Sequence, residues 1–335
     1  MNTRLAGLDV GAKTLTLAIR KDGKTLKPRD FANAPSGHAG LIQALRQAKV
    51  THMCIEATGV YHLDVAVALH DAGGFQVMVV NPKAARRFAE AMMSRTKTDP
   101  VDAALLAEFA ERMPFVAWVR PADEVLALRA FGRYLSSLTQ HRSQLKNQLH
   151  AWQHASATPD AIVKAVSGQI QDLDIQIELI RAQALQLILC HPALYQAYAL
   201  LVSVTGIAQA SAIALLGELL VLPEGMTARQ WVAMAGLDPS HHQSGDSVNK
   251  KPRLSKAGNR YLRSALYMPA LSATRHDPHL RGFYLHLIEH RGLKKLQAVC
   301  AVMRKLLTAL HAMLTTGTAF DGSRLFTLPP NTVPV

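Results

Sequence analysis

The chain has 335 residues, 49% of them hydrophobic, and a net charge of +13 from 37 Lys and Arg against 24 Asp and Glu. That composition excludes a globally disordered chain, leaves room for two or three domains, and favours a polyanionic partner over an acidic one. Cys54, Cys190 and Cys300 are widely separated and form no CxxC pair, which argues against a disulfide framework or a zinc site and suits a reducing cytoplasm. Met1-Asn2-Thr3-Arg4 runs straight into an apolar segment, so no secretory signal is expected.

In chain order, Leu5–Val10 and Thr14–Arg20 predict a strand pair around Gly11-Ala12-Lys13, with a third strand within 24–32. A helix is expected after Ser36, a strand over Thr51–Glu56, a helix over Tyr61–Asp71 and a strand over Gln76–Val80. Helices over 83–93 and 100–112 come next. Strands first, then alternation with helices, predicts a mixed α/β sheet covered on both faces.

From 121 to 190 the pattern changes. Phe131, Leu135, Leu138, Arg142, Leu145, Leu149 and Trp152 recur at alternating four and three residues. Val166, Ile170, Leu173, Ile177, Ile180, Ala184 and Leu187 do the same, so two long helices with a coiled-coil seam are expected. Ala157-Thr158-Pro159-Asp160 marks the turn, with Asp160 as N-cap, and Arg142 in the seam implies a wet or intermolecular position there. His191–Gly217 carries no Asp, Glu, Lys or Arg, but Gln196, Ser203, Thr205, Gly206 and Gln209 interrupt it. It reads as two short buried helices rather than a membrane span. Residues 195–320 read as mainly helical, with Asp238–Lys251 as a polar loop and the Pro-containing tail from Phe320 loose.

Four carboxylates stand out. Asp9 ends the run Leu5–Leu8, Glu56 ends Met53-Cys54-Ile55, and Asp99 and Asp102 open a helix three residues apart. Acids at the mouths of neighbouring strands, with a helical pair beside them, have the chemistry to hold divalent ions against a phosphodiester. Each also has a plain structural reading: Asp9 as a turn cap, Glu56 as a cap of the next helix, and Asp99 as N-cap before Pro100 with Asp102 in the first turn. Arg95 and Lys97 would steer a phosphate backbone towards them.

Further along, Ser244 before Gly245 offers a nucleophile on a tight turn, against the plain reading of loop punctuation. His242, beside His241, reads as a base, a phosphate ligand or a solvated loop histidine. Lys250, Lys251, Arg253, Lys256, Arg260, Arg263 and Arg275 come after it with no acid among them, which suits a phosphate track as well as a solvated basic face. Thr205-Gly206-Ile207 is similar to a helix-hairpin-helix turn, whose amides hold a DNA phosphate.

Taken as an ordered set, these motifs resemble the DEDD transposases of the insertion sequence one-ten family, relatives of the Piv DNA invertases. The set comprises Gly7-Leu8-Asp9-Val10, Ile55-Glu56-Ala57-Thr58-Gly59 and Lys97-Thr98-Asp99-Pro100-Val101-Asp102-Ala103. It continues with Gly236-Leu237-Asp238-Pro239, Gln243-Ser244-Gly245 and Lys256-Ala257-Gly258-Asn259-Arg260-Tyr261-Leu262-Arg263. The resemblance runs from about residue 4 to about 315.

It implies an α/β RNase H-like (RuvC-like) domain over 1–118, a coiled-coil helical hairpin over 119–192, a mainly α transposase domain over 193–320 and a tail over 321–335. It also implies that Asp9, Glu56, Asp99 and Asp102 bind Mg²⁺, one or two ions per site, and that Ser244 is a catalytic serine. The expected partners are double-stranded donor and target DNA, a noncoding bridge RNA, and further copies of the chain in a dimer or tetramer, with no membrane. The alternatives are a Holliday-junction resolvase-like nuclease using the carboxylates alone, an actin-like ATPase, and a non-catalytic scaffold. The ATPase reading lacks a second glycine-rich loop and an adenosine motif.

Overall fold

A computed structural model describes residues 4–94, 96, 98–244 and 248–328; within 241–251 only the strand backbone is described. The chain divides into two compact units, Met1–Arg120 and Pro121–Val335.

The first unit runs β1 (Leu5–Val10), β2 (Thr14–Lys21), β3 (Lys24–Thr25), β4 (Arg29–Ala32), α1 (Pro35–Gln47), β5 (His52–Glu56), α2 (Tyr61–Ala72), β6 (Gln76–Val80), α3 (Pro82–Ala91) and α4 (Asp99–Arg112). Its sheet has the order β3-β2-β1-β5-β6, with β4 also on β2. β1 pairs antiparallel with β2 and parallel with β5, and β5 is parallel with β6. The third expected strand is thus two short ones, because Leu26–Pro28 interrupts the ladder.

Side chains alternate across a strand, and here the alternation sorts function from packing. Ala6, Leu8 and Val10 of β1 and Met53 and Ile55 of β5 join Leu41, Leu45, Val65 and Leu69 of α1 and α2 in one core. Leu5 of β1 and Cys54 of β5 join Leu106 and Phe109 of α4 in another. Asp9 and Glu56, two residues on from Gly7 and Cys54, therefore belong to the α4 face.

The second unit runs α5 (Asp123–Gln153), α6 (Asp160–Cys190), α7 (Pro192–Val202), α8 (Gln209–Leu219), α9 (Ala228–Met234), β7 (Pro239–Ser244), β8 (Val248–Leu254), α10 (Arg260–His276), α11 (Pro278–Glu289) and α12 (Lys295–Thr316), closed by a 3-10 turn at Gly322–Arg324. Helices α5 and α6 fold back on each other, burying Leu135, Leu138 and Leu145 against Val166, Ile170, Leu173 and Ile177. The seam arginine is satisfied across this hairpin, Arg142 Nη1 donating to Asp174 Oδ1 at 2.7 Å. The hairpin is packed into the helices that come after it. Gly132 and Gly217 let α5 and α8 approach at backbone distance, and one core runs from Leu128 to Met313. The expected division at 192/193 is therefore no break in packing.

Three expectations need correction. Asp238–Lys251 is not a loop: β7 and β8 form an antiparallel ribbon, with a register shift between Ser240 and His242. A backbone ladder forms whatever the side-chain polarity, so the polar sequence concealed it. The N-caps also sit one residue earlier than expected, at Thr98 and Pro159, making Asp99 and Asp160 the first helical residues. Among the described residues α12 alone is a single helix long and apolar enough to cross a membrane, and half of its most apolar window is buried.

Candidate active site

The site is assembled by two strand ends and one helix start. The register Leu8↔Ile55 places Asp9 and Glu56 at the same end of adjacent parallel strands, where neighbouring strands lie about 4.8 Å apart. Helix α4 lies against β1 because Gly7 has no side chain: a Cβ there would fall on the carbonyl oxygen of Ala103 and the amide of Ala107. From Gly7 to Asp9 the strand advances about 6.6 Å. From Ala103 back to Asp99 the helix advances about 6 Å. The two acids of the first turn of α4 are thereby delivered to the level of Asp9.

The electrostatics register this convergence. The Asp9 carboxyl is pushed up to about 6, first by burial and then by the negative charges of Asp99, Asp102 and Glu56, offset in part by a hydrogen bond from the Val10 backbone. Thr58 Oγ1 donates to Glu56 Oε1 at 3.4 Å. Cys54 beside it is no nucleophile or soft ligand, since burial and Glu56 push its thiol up to about 12. Among the described residues no three Asp, Glu, His or Cys side chains converge closely enough to hold one ion between them. The carboxylates are near enough to repel one another without closing on a common point. As a donor set, four hard oxygen ligands with mutual repulsion fit a hard divalent cation rather than a thiophilic one.

The turn after Asp9 and the loop after Glu56 are tied together by a residue that motif reading passed over. Asn33 Nδ2 donates to the carbonyls of Gly11 (2.9 Å) and Tyr61 (3.1 Å), and its Oδ1 faces His38 Nε2 at 2.8 Å. No local signal marks such a long-range bridge.

In the second unit, Ser244 closes β7 opposite Val248. Its side chain and those of His241, His242, Lys250 and Lys251 lie outside the described residues, as do Arg95 and Lys97. Arg253, Lys256 and Arg260 are exposed. The Arg260 guanidinium lies over the Tyr261 ring, 4.9 Å from its centre. Arg263 does not join a surface track: it donates from Nη1 to the Ala235 carbonyl at 2.8 Å, packed beneath Gly236. Gly206, at φ +99°, seats the α7–α8 turn on α10, where a Cβ would lie 2.6 Å from the Pro269 carbonyl.

Helices α5 and α8 and the start of α10 meet at a buried acid that the sequence patterns did not single out. Glu218, 2% exposed, accepts from Arg133 Nε at 2.6 Å and from Asn259 Nδ2 at 2.5 Å, with Arg129 at 3.5 Å. Burial alone would raise its carboxyl, but the Arg133 bond, Arg129 and Asn259 together hold it below the ordinary range. The available signal was its position as the first charge after the uncharged run His191–Gly217.

Comparison with known proteins places this geometry. A family model described as Transposase, DEDD_Tnp_IS110, matches residues 6–152, and a second, Transposase IS116/IS110/IS902 family, matches 198–285. The pilin gene-inverting proteins of Moraxella lacunata and Moraxella bovis are each 32% identical to the chain, covering 96% of it and 98% of their own length. The chain belongs to this family of DNA transposases. The first matched segment of the transposase contains Asp9, Glu56, Asp99 and Asp102, and the second contains Ser244 and the basic residues after it. Among solved structures, Thermus thermophilus RuvC in complex with a Holliday junction substrate aligns with a TM-score of 0.27 and 18% identity, covering 33% of this chain and 96% of that one.

Proposed function

We propose that this transposase cuts and rejoins double-stranded DNA through a covalent phosphoserine on Ser244, with Asp9, Glu56, Asp99 and Asp102 holding Mg²⁺. The observation that carries the reading is the acid cluster on the α4 face, in which Asp9 is pushed up to about 6 by burial and its three acidic neighbours. Like charges held this close together cost folding energy that a bound cation would offset. Mg²⁺ bound there, as one or two ions, would supply charge neutralisation at the scissile phosphate.

The remaining steps fall to the chain. The Ser244 oxygen attacks phosphorus, the Ser–O–P bond forms, and the bond from phosphorus to the 3′ oxygen breaks. The serine gives up its proton and the departing 3′ oxygen takes one up, so the step is neutral overall. The phosphodiester energy stays in the adduct, and a 3′ hydroxyl from the exchanged strand reverses the attack without ATP. Arg253, Lys256 and Arg260, exposed beside the ribbon, would contact DNA phosphates, as would Lys250, Lys251, Arg95 and Lys97.

The order β3-β2-β1-β5-β6, an antiparallel meander followed by parallel crossovers, supports an RNase H-like (RuvC-like) reading of the first unit. The α5–α6 seam supports a coiled-coil reading of the hairpin; assembly as a dimer or tetramer follows from the family resemblance alone. A noncoding bridge RNA would choose the target by base pairing, leaving the protein to read shape and backbone. The cytoplasm is the compartment this reading implies.

Ser244→Ala should abolish both strand exchange and the protein–DNA adduct on a supercoiled substrate, resolved on a denaturing gel. Metal-dependent cleavage that persists in Ser244→Ala, with no adduct in the parent, would instead favour a resolvase-like nuclease.

A further inference from the structure

We infer that Asn33 is a positioning residue for the carboxylate pair Asp9–Glu56, its amide setting the spacing between the turn after Asp9 and the loop after Glu56. The inference rests on the proposed reading of those acids as the metal site.

The geometry is specific. Asn33 comes directly after β4, and its backbone amide donates to the Lys13 carbonyl at 2.9 Å, fixing it against the β1–β2 turn. Its side-chain Nδ2 then serves two carbonyls at once: Gly11, two residues past Asp9, and Tyr61, five past Glu56. The segment from Ala57 to Tyr61 is held at its other end by the Ala57 amide on the Val80 carbonyl at 2.9 Å. Asn33 thus supplies the second of two anchors for the loop that leaves Glu56.

The orientation of the amide is determined. Turned over, Asn33 would set its oxygen against two carbonyl oxygens. Its Oδ1 therefore accepts from His38 Nε2–H, an arrangement that survives in both protonation states of the imidazole. His38 is 7% exposed, and Gly37 brings it within reach: a Cβ at Gly37 would collide with the Ala32 carbonyl, so α1 packs directly on the backbone preceding Asn33. A glycine, a buried histidine and an asparagine converge to hold one amide. The two things that amide joins are the exits of the two acid-bearing strands. Groups that orient ligands in this way typically matter roughly 10–100-fold for metal affinity or activity.

The test is Mn²⁺ binding to the full chain, measured by calorimetry and by the electron paramagnetic resonance of free Mn²⁺. Asn33→Ala should weaken Mn²⁺ binding about 10-fold or more. Asn33→Asp, which keeps an acceptor for His38 but loses both donors, should not restore it. His38→Gln, which can still donate to Asn33, should stay closer to the parent than His38→Ala. Val50→Ala, a core truncation before β5 at the end away from Glu56, serves as the stability control: it should lower the thermal midpoint and leave Mn²⁺ affinity unchanged. If Asp9→Asn weakens Mn²⁺ binding while Asn33→Ala does not, the positioning role is overturned and the metal site stands. If Asp9→Asn binds Mn²⁺ like the parent, the metal site itself is misassigned and the positioning role falls with it.

Discussion

Glu218 of the second unit is buried and Asp9 of the first is half-buried, and the two acids are treated in opposite ways. Glu218 is surrounded by Arg129, Arg133 and Asn259 and held below its ordinary range. Asp9 is surrounded by three more acids and pushed up to about 6. A carboxylate whose charge is answered within the fold serves the fold, whereas one whose charge is opposed by its neighbours costs the fold energy, which is what the proposed metal site would offset.

Breaking the second kind should have the larger effect on activity and the opposite sign on stability. Asp9→Asn should lower DNA cleavage by about 1,000-fold or more, yet raise the thermal midpoint of the metal-free chain at pH 7 and above. Gel-based cleavage kinetics and calorimetry on the same preparation would check both signs. A fall in midpoint on removing the Asp9 charge would mean the cluster is not strained.

Glu218→Ala should destabilise the second unit by about 3–5 kcal/mol, because it leaves two arginines facing an empty buried site. Denaturant unfolding reads that loss directly. The acids also differ in their pH dependence. The stability associated with Asp9 is fully present below its ordinary value of 3.8 and is lost as pH rises through about 6. That associated with Glu218 is present above its ordinary value of 4.5 and is lost as pH falls below it. In calorimetry of the metal-free chain, raising the pH from about 4 to about 6 should therefore lower the midpoint of the first unit, whereas the second should lose its Glu218 contribution only as pH falls below 4.5. Parallel movement would contradict the contrast.

Gly7→Ala should cost about 1–3 kcal/mol through overpacking and, by lifting α4 away from β1, reduce cleavage as well. A variant that is fully active with an unchanged midpoint would show that the acids of α4 do not depend on that seat. The smallest effect should come from Arg142→Ala, whose partner Asp174 is solvent-exposed. Its midpoint should shift least of the four, and a large shift would point to a seam tied more deeply than one ion pair.

Legibility in the sequence divides along the same line. Apolar runs ended by Asp9 and Glu56 were readable because a buried strand is a short continuous pattern, and an acid at its end breaks that pattern. Asp99 and Asp102 were readable from the Pro100 helix start. The 3–4 spacing exposed both long helices. The hidden features depend on partners far away in the chain. Arg263 has the look of one more member of a basic run, yet it is bound to Ala235. Glu218 and Asn259 carry no mutual signal across 41 residues. The β7–β8 ribbon is too polar to show an apolar alternation.

The bare backbone at Gly7 has an evolutionary corollary. Where strand and helix touch through main-chain atoms, side-chain volume does not set their separation. Exchanges among Leu, Ile, Val and Met elsewhere in the two cores can then accumulate without retuning the distance between the acids on β1 and those on α4. The spacing of the acids is buffered against drift in the packing around them, and related chains can diverge in their apolar interior while keeping that spacing.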